Sequence, residues 1–396
     1  MADETVRLGV IGLGGRGRYF ARNYDTHPEA ELVAVADPDA QALERVRPAY
    51  GDRIDYYSDL EELLSREDVP AVVIASPDFA HRDNAVQAFE YGKHVMLEKP
   101  MAQSVEDTDD IIRAWNEAGT VPCVGLELRY SAIFVRMREI LDAGKIGEVQ
   151  TGMAVDNVSV GGNYFYHDQQ RLKSYTVSLL MQKGVHTIDL LNWLMDAGRP
   201  TKVYATGSLA YYGGDAPNDK RCRDCQEAED CPFFIEPERF QMDYDVTIEK
   251  QDLCVFAEEA DVNDNSQVII TYESGKSAVY TECHFTPEYT RDFWLTGDAG
   301  KMYAQYNNEC NFVIRNRYRH TEHIDEWHPR STGGGHGGGD PLIQQAFLDW
   351  VREPERMDVS MALDARHATC VGAAGERSIE TGMPVEIPPP PEVSLR

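Results

Sequence analysis

The sequence predicts an α/β chain in two parts: a doubly wound parallel sheet first, then an α/β domain on a large, mostly antiparallel sheet. Three observations predict it. An apolar strand, VRLGVIG, runs through glycines into a helical pattern. Strands and helices then alternate as far as AGTVPCVG. Beyond that point strands follow one another with turn signals between them, which is the pattern of an antiparallel sheet.

The 396 residues are long for one hydrophobic core and suggest two domains, taken as 1–126 and 127–396. Helices near the C-terminus are expected to pack back on the first domain. Hydrophobic content of 42% and charged content of 27% are those of a soluble globular chain. A formal charge of −29 argues against a phosphate-tracking nucleic-acid binder. No apolar run approaches the ~20 residues that span a bilayer, so no membrane partner is expected. MADETVRLGVIGLG has no basic and apolar leader pattern, and eight cysteines in so long a chain are no disulfide framework. A cytoplasmic location is the expectation.

Gly12, Gly14 and Gly17 satisfy G-x-G-x-x-G between a strand and a helix, with Leu13, Gly15 and Arg16 lining the same turn. The first glycine permits the tight turn, the second admits a pyrophosphate, and the third lets helix and strand approach. The helix N-terminus then offers unpaired N–H groups to phosphate oxygens. The next strand, ELVAVADPD, ends in Asp37. A carboxylate there accepts ribose hydroxyls and repels a 2′-phosphate, which favours NAD over NADP.

YSDLEELLSRED reads as a short helix capped by Ser58 or Asp59, AVVIASP as a buried parallel strand, HRDNAVQAFEYG as a helix and KHVMLEKP as a strand. Such units pair in parallel with right-handed crossovers. Ligands sit at the carboxyl ends of these strands, where Ser76, Pro77, His81, Glu98 and Lys99 fall, and these join the cofactor set.

GVIGLGGRG, ASPDFAH, AFEYGKHVMLEKPMA and GVHTID together resemble the glucose–fructose oxidoreductase/inositol dehydrogenase (Gfo/Idh/MocA) family, in order over roughly residues 5 to 195. The resemblance implies an N-terminal Rossmann domain and a C-terminal α/β domain whose open sheet forms a homodimer or homotetramer interface. It also implies that Lys99, the lysine of EKP, lies beside the nicotinamide ribose and the substrate hydroxyl. An ammonium there would lower the alcohol pKa and stabilise developing alkoxide. Glu98 would orient Lys99 or contact the ribose.

The family's Asp-x-Gly-x-His-x-x-Asp pattern appears as Gln182-Lys183-Gly184-Val185-His186-Thr187-Ile188-Asp189. His186 inherits the acid/base role, since imidazole titrates near neutrality. Gln182 replaces an aspartate, so it is expected to contact substrate rather than act as a base. In a regular helix Gln182, His186 and Asp189 share one face, and Asp189 either joins the substrate site or ties down a neighbouring loop.

GLELRYSAIFVRMREILDAGKIGEVQ predicts a strand and then a helix starting at Arg129 and Tyr130; Arg129 and Tyr130 also resemble a family position near the nicotinamide. Strands are expected in EVQTGMAVDNVSV, TKVYATGSLAYYG, CVFAEEADV, SQVIITYES, KSAVYTECHFT and DFWLTGD, with hairpin turns at ESGKS and GDAGK. The loop GGNYFYHDQQRLKSYT brings Tyr164, whose ring would pack on a sugar, with Arg171 and Lys173; these two and Lys183 are candidate anion contacts. His336 in GGGHGGGD is a candidate substrate contact, with Asp340 as N-cap and Pro341 opening the next helix.

CRDCQEAEDCP contributes Cys222, Cys225 and Cys231. A C-x2-C pair with a third cysteine suits a structural zinc if a fourth ligand folds in; free or redox-labile thiols are the alternative, and no firm metal site follows. The leading expectation is an NAD-dependent oxidoreductase acting on a secondary hydroxyl of a sugar, glycoside or cyclitol, anionic if the basic loop binds it. The alternative is a redox-neutral glycoside hydrolase that uses NAD for transient C3 oxidation, elimination, water addition and re-reduction. A third reading is a cofactor-loaded sensor on the same fold.

Overall fold

The computed structural model describes residues 5–159, 161–236, 252–306, 311–316, 325–327 and 333–393. Its first sheet is built from β1 (Val6–Ile11), β2 (Ala30–Ala36), β3 (Asp55–Tyr57), β4 (Ala71–Ile74), β5 (His94–Leu97) and β6 (Pro122–Val124). All pairs are parallel, in the order β3-β2-β1-β4-β5-β6. Between them run α1 (Gly15–Thr26), α2 (Ala40–Tyr50), α3 (Leu60–Leu64), α4 (His81–Glu90) and α5 (Val105–Ala118). The order reverses at β1/β4, which opens a crevice beyond the strand carboxyl ends. AVVI of β4 is buried throughout because helices cover both faces. Asp59, one of the two expected caps, closes α3 by accepting from Glu61 N at 2.9 Å.

The second sheet begins after α6 (Ala132–Asp142) with β7 (Val149–Asn157), then α7 (Lys173–Thr176), α8 (Val185–Met195) and β8 (Pro200–Ser208). β9 (Asn265–Tyr272), β10 (Ser277–Cys283), β11 (Thr290–Gly297), β12 (Gly300–Tyr306), β13 (Asn311–Asn316) and β14 (Asp325–Trp327) follow. α9 (Gly339–Arg352), α10 (Ser360–Thr381) and β15 (Val385–Glu386) complete the order. Nine strands pair as β14-β13-β12-β11-β7-β10-β9-β8-β15, all antiparallel except β7 with β10. α8 lies on one face, where Ile188, Leu190, Leu191 and Leu194 pack with Ala154, Ile270, Tyr280 and Phe293. Ile343, Phe347 and Leu348 of α9 belong to the core of the first sheet, with Val10 and Met96.

Four local expectations change. CVFAEEADV is not a strand: it forms turns held by isolated bridges, Arg221 with Leu253 and Ala216 with Ala257. Its apolar residues Val255, Ala260 and Val262 instead enter a separate aromatic core with Tyr166 and Tyr212. Arg129 and Tyr130 lie in a 3₁₀ turn, Glu127–Tyr130, before the helix proper. Asp340 is not an N-cap; α9 starts at Gly339, two residues earlier than expected, and that carboxylate instead meets Arg16 and His336. The helix expected to carry Gln182, His186 and Asp189 on one face is interrupted too, since Leu180–Gly184 winds as a single π-helical turn before α8.

Each fully buried leucine of α8 stabilises the second sheet by about 1.5–3 kcal/mol through area removed from water. Leu191→Ala, which also leaves a cavity against Gly152 and Met195, is expected to cost ~2–5 kcal/mol, read from the shift of a denaturant midpoint.

Candidate active site

The glycine turn leaves β1 and enters α1 at the crevice. Gly12 has φ +86°, and a Cβ on it would meet Ser76 N at 2.6 Å; one on Gly17 would overlap Gly12 O at 1.7 Å. A Cβ on Gly14 would meet nothing within 4 Å, which leaves the backbone open to a ligand. No side chain caps the α1 N-terminus at Gly14. Asp37 accepts from Leu13 N at 2.7 Å and from Asp39 N at 2.9 Å, so the carboxylate at the end of β2 is aimed beside the turn. An open glycine backbone, an uncapped helix start and an oriented carboxylate fit a dinucleotide without 2′-phosphate.

Lys99 leaves the end of β5 in a cis Lys99–Pro100 turn. His81 clamps that turn, its ring nitrogens 2.7 Å from Pro100 O and 2.9 Å from Ser76 O. Both ring nitrogens thus face backbone carbonyls, so His81 supports the turn that presents Lys99. Ser76 in turn accepts from Asn84 at 2.9 Å. Lys99 Nζ donates to Gln182 O at 2.6 Å and Gln182 Oε1 at 3.1 Å.

Gln182 Nε2 reaches Asp78 at 3.1 and 3.3 Å. The carboxylate absent from position 182 is thus supplied by Asp78, one side chain further out. Burial lowers the Lys99 pKa and Lys183 adds to this, while Glu98 and Asp78 push back; the net shift is downward. The π turn brings the Gln182 carbonyl to Lys99, and such turns are frequent at functional sites.

His186 follows that turn and is buried, with neither ring nitrogen bonded to protein. Burial holds its pKa well below 6.5, and the charges of Lys99, His336, Arg291 and Lys183 act in the same direction. Its ring centroid is 5.0 Å from that of His336. The glycine loop makes this possible: a Cβ on Gly339 would overlap Glu127 O at 2.1 Å. His336 Nδ1 lies 3.1 Å from both oxygens of Asp340.

Arg16 is turned into the same region, 2.5 Å from Glu98, 2.7 Å from Glu127 and 3.0 Å from Asp340. Burial alone would raise Asp340, but His336 and Arg16 reverse this and hold its carboxyl far below the usual range. Burial and Glu98 push Glu127 well above its usual value despite Arg16. Atoms of Glu127, His186 and His336 lie within 4.8 Å of one another, a donor set that a divalent ion accepts. The surrounding Arg16, Lys99, Lys183 and Arg291 disfavour a cation there.

Other expected contacts are committed elsewhere. Arg171 is completely buried and bonds Cys254 O, Asn218 O and Glu259, so it stitches a loop and offers no anion contact. Lys173 pairs with Glu376 of α10. Asp189 receives Arg129 at 2.6 and 2.8 Å, the loop-tying role of the two that were open. Tyr164 packs its ring 5.3 Å from Phe165 in the aromatic core. Lys183 alone of the three expected cations faces the site, 2.8 Å from Tyr289 OH.

Sequence reasoning missed Asp78, Glu127 and the buried Asp156 group. Asp156 accepts from Thr187, Tyr280 and Arg291 at 2.7, 2.8 and 3.0 Å, beneath His186. A signal existed for Asp78 and Glu127, since each follows the carboxyl end of a parallel strand; none marked Asp156, which lies within β7.

Comparison with known proteins agrees with this architecture. The model for the oxidoreductase family with NAD-binding Rossmann fold, GFO_IDH_MocA, matches residues 6–126, and the GFO/IDH/MocA C-terminal domain matches 134–303. A Bacillus subtilis (strain 168) protein named as oxidoreductase YteT is 25% identical over 91% of this chain and 92% of its own. A 2,7-anhydro-N-acetylneuraminate hydratase of Mediterraneibacter gnavus is 28% identical over 55% of this chain, which spans 56% of that relative. The fold matches levoglucosan dehydrogenase, solved with NADH and levoglucosan, at TM-score 0.75 and 18% identity, covering 98% and 100% of the two chains.

Proposed function

The chain belongs to the GFO/IDH/MocA oxidoreductase family, and from that premise we propose that it oxidises a secondary hydroxyl of a sugar, glycoside or cyclitol with NAD. One observation carries the reading: Lys99 and a His186 with both ring nitrogens unbonded converge at the carboxyl end of the parallel sheet. Gly12, Gly14, Gly15, Gly17 and Asp37 would hold the cofactor, which when bound accepts a hydride.

The remaining work falls to side chains. Neutral His186 accepts the hydroxyl proton, and His336, held by Asp340, stands next to it as the second contact. The Lys99 ammonium, fixed by Gln182, offsets negative charge developing on the substrate oxygen. Lys183 and Arg291 add positive charge around His186, which supports an anionic substrate.

A redox-neutral cycle is the second reading, favoured by the hydratase relative and by the converging side chains of Glu127, His186 and His336, which can serve as a base. Removal of a C2 proton next to a transient C3 ketone needs such a base. The substrate would then leave cleaved or hydrated with no net change in NAD.

We also propose a homodimer or homotetramer through the second sheet. Tyr204, Ile269, Val279, Met153, Trp294 and Tyr303 are cross-strand neighbours in one row. Tyr204, Ile269 and Met153 are exposed apolar groups on that row, opposite the face that carries α8.

Three outcomes are expected. With NAD and a polyol and glycoside panel, a substrate should give NADH absorbance, and Lys99→Met should lower kcat by about 10²–10⁴-fold with NAD affinity kept; full turnover in the variant removes Lys99 from the mechanism. Turnover without NADH, with solvent deuterium entering C2, would move the assignment to the redox-neutral cycle.

The kcat/KM for oxidation needs neutral His186 and charged Lys99. Its acid limb should therefore lie below pH 6.5, and activity should fall as pH rises through a Lys99 pKa below 10.5. An acid limb above 6.5 contradicts the assignment. Finally, Ile269→Asp should shift the sedimenting species towards monomer, and an unchanged mass would exclude this face.

A further inference from the structure

We propose that Cys222, Cys225, Cys231 and Cys254 hold one structural zinc ion. The three cysteines of CRDCQEAEDCP lack a fourth partner in their own segment, and the fold supplies it from 23 residues further along the chain, as 254 minus 231 gives. All four line a single cavity of about 410 Å³ together with His167, Lys220, Arg221 and Phe233. All four are free thiols.

The backbone around the cavity has the form such a site requires. Cys222–Asp224 is a tight 3₁₀ turn, and Cys225 N donates to Cys222 O at 3.1 Å, which folds the C-x2-C pair into one knuckle. The second segment is locked against it. Arg221 and Leu253 form an antiparallel bridge, Cys222 N donates to Asp252 O at 2.8 Å, and Cys254 N donates to Lys220 O at 2.9 Å. Cys222 and Cys254 each follow a bridged residue, so they share one face of this short ladder as a diagonal pair.

His167 fixes the remaining parts, with its Nδ1 3.9 Å from Cys222 Sγ. Its Nδ1 lies 2.6 Å from Leu253 O and its Nε2 2.7 Å from Phe233 O, which ties the residue before Cys254 to the residue two after Cys231. Among the described residues only Glu127, His186 and His336 already bring three donor atoms within 4.8 Å of one another, so binding requires the four thiols to turn inward about their single side-chain torsions. Zinc prefers four thiolates in a closed tetrahedron. Binding displaces four thiol protons to solvent and leaves a net charge of −2 at the site. Lys220 and Arg221 line the cavity together with Glu227 and Asp230, Lys220 pairing with Glu227 and Arg221 with Asp252.

The ion would anchor a wall of the substrate pocket without entering the chemistry. Val255, Phe233 and Phe256 pack in the aromatic core with Leu179, the residue before the π turn, and with Tyr289, the partner of Lys183. The same loop receives Arg171 through Cys254 O. Zinc content is independent of the dehydrogenase reading, so either can fail without the other.

The test is metal analysis of the purified full chain by inductively coupled plasma mass spectrometry and native mass spectrometry. The expected result is about one zinc per chain, falling to roughly a tenth in Cys225→Ser and in Cys254→Ser. Cys370→Ser, at a thiol buried against Thr108, should keep the metal. Cobalt(II) added to chelator-stripped wild-type chain should give the absorption of a tetrahedral thiolate complex. Wild-type chain that carries no zinc and yields no such spectrum overturns the proposal, as does a disulfide among these cysteines or full zinc content in Cys254→Ser.

Discussion

One guanidinium gathers three carboxylates at the strand ends of the first sheet. Arg16, on the first turn of α1, meets carboxylates from the end of β5, from the turn after β6 and from α9. The environment moves two of these buried carboxyl groups apart. Asp340 is held far down by His336 and Arg16, whereas burial and Glu98 push Glu127 up. Removing one partner from such a group costs about 3–5 kcal/mol, because the others remain buried and uncompensated. The position of His336, and through it the environment of His186, depends on this cluster.

Around that centre the protein spends side chains on positioning more than on contact. His81 clamps the Lys99 turn, Gln182 carries the lysine to Asp78, and Arg129 with Asp189 and Asp364 fixes the far end of α8. Arg366, fully buried on α10, bonds Asp109 on α5 at 2.6 Å and so seats the C-terminal helix against the first sheet. These pairs leave Lys99, His186, His336 and Lys183 in fixed relation, which is what proton movement at one substrate oxygen demands.

Much of this was legible in the residues. The glycine turn, Asp37, the parallel order and the mostly antiparallel second sheet follow from local pattern, because strand and helix periods differ and because glycine is required where backbone crosses at van der Waals distance. Lys99, His186 and His336 were identifiable as residue types able to move protons or bear charge at strand ends and in glycine loops. Arg171 and Lys173 were misjudged for the opposite reason, and Asp189 was left between two roles. A charged residue in an aromatic loop reads as exposed until its partner is known, and Glu259, Glu376 and Arg129 lie 88, 203 and 60 residues away.

By itself the sequence determined the fold class and the glycine turn after the first strand, since each depends on neighbours within a few residues. Only the tertiary structure decided what Gln182 does. A glutamine in place of a carboxylate looks like a lost charge, yet Asp78 returns that charge from 104 residues away, through the glutamine amide. The same holds for the fourth cysteine and for the carboxyl groups on Arg16. Electrostatic partners are set by distance in space, which short-range pattern does not encode.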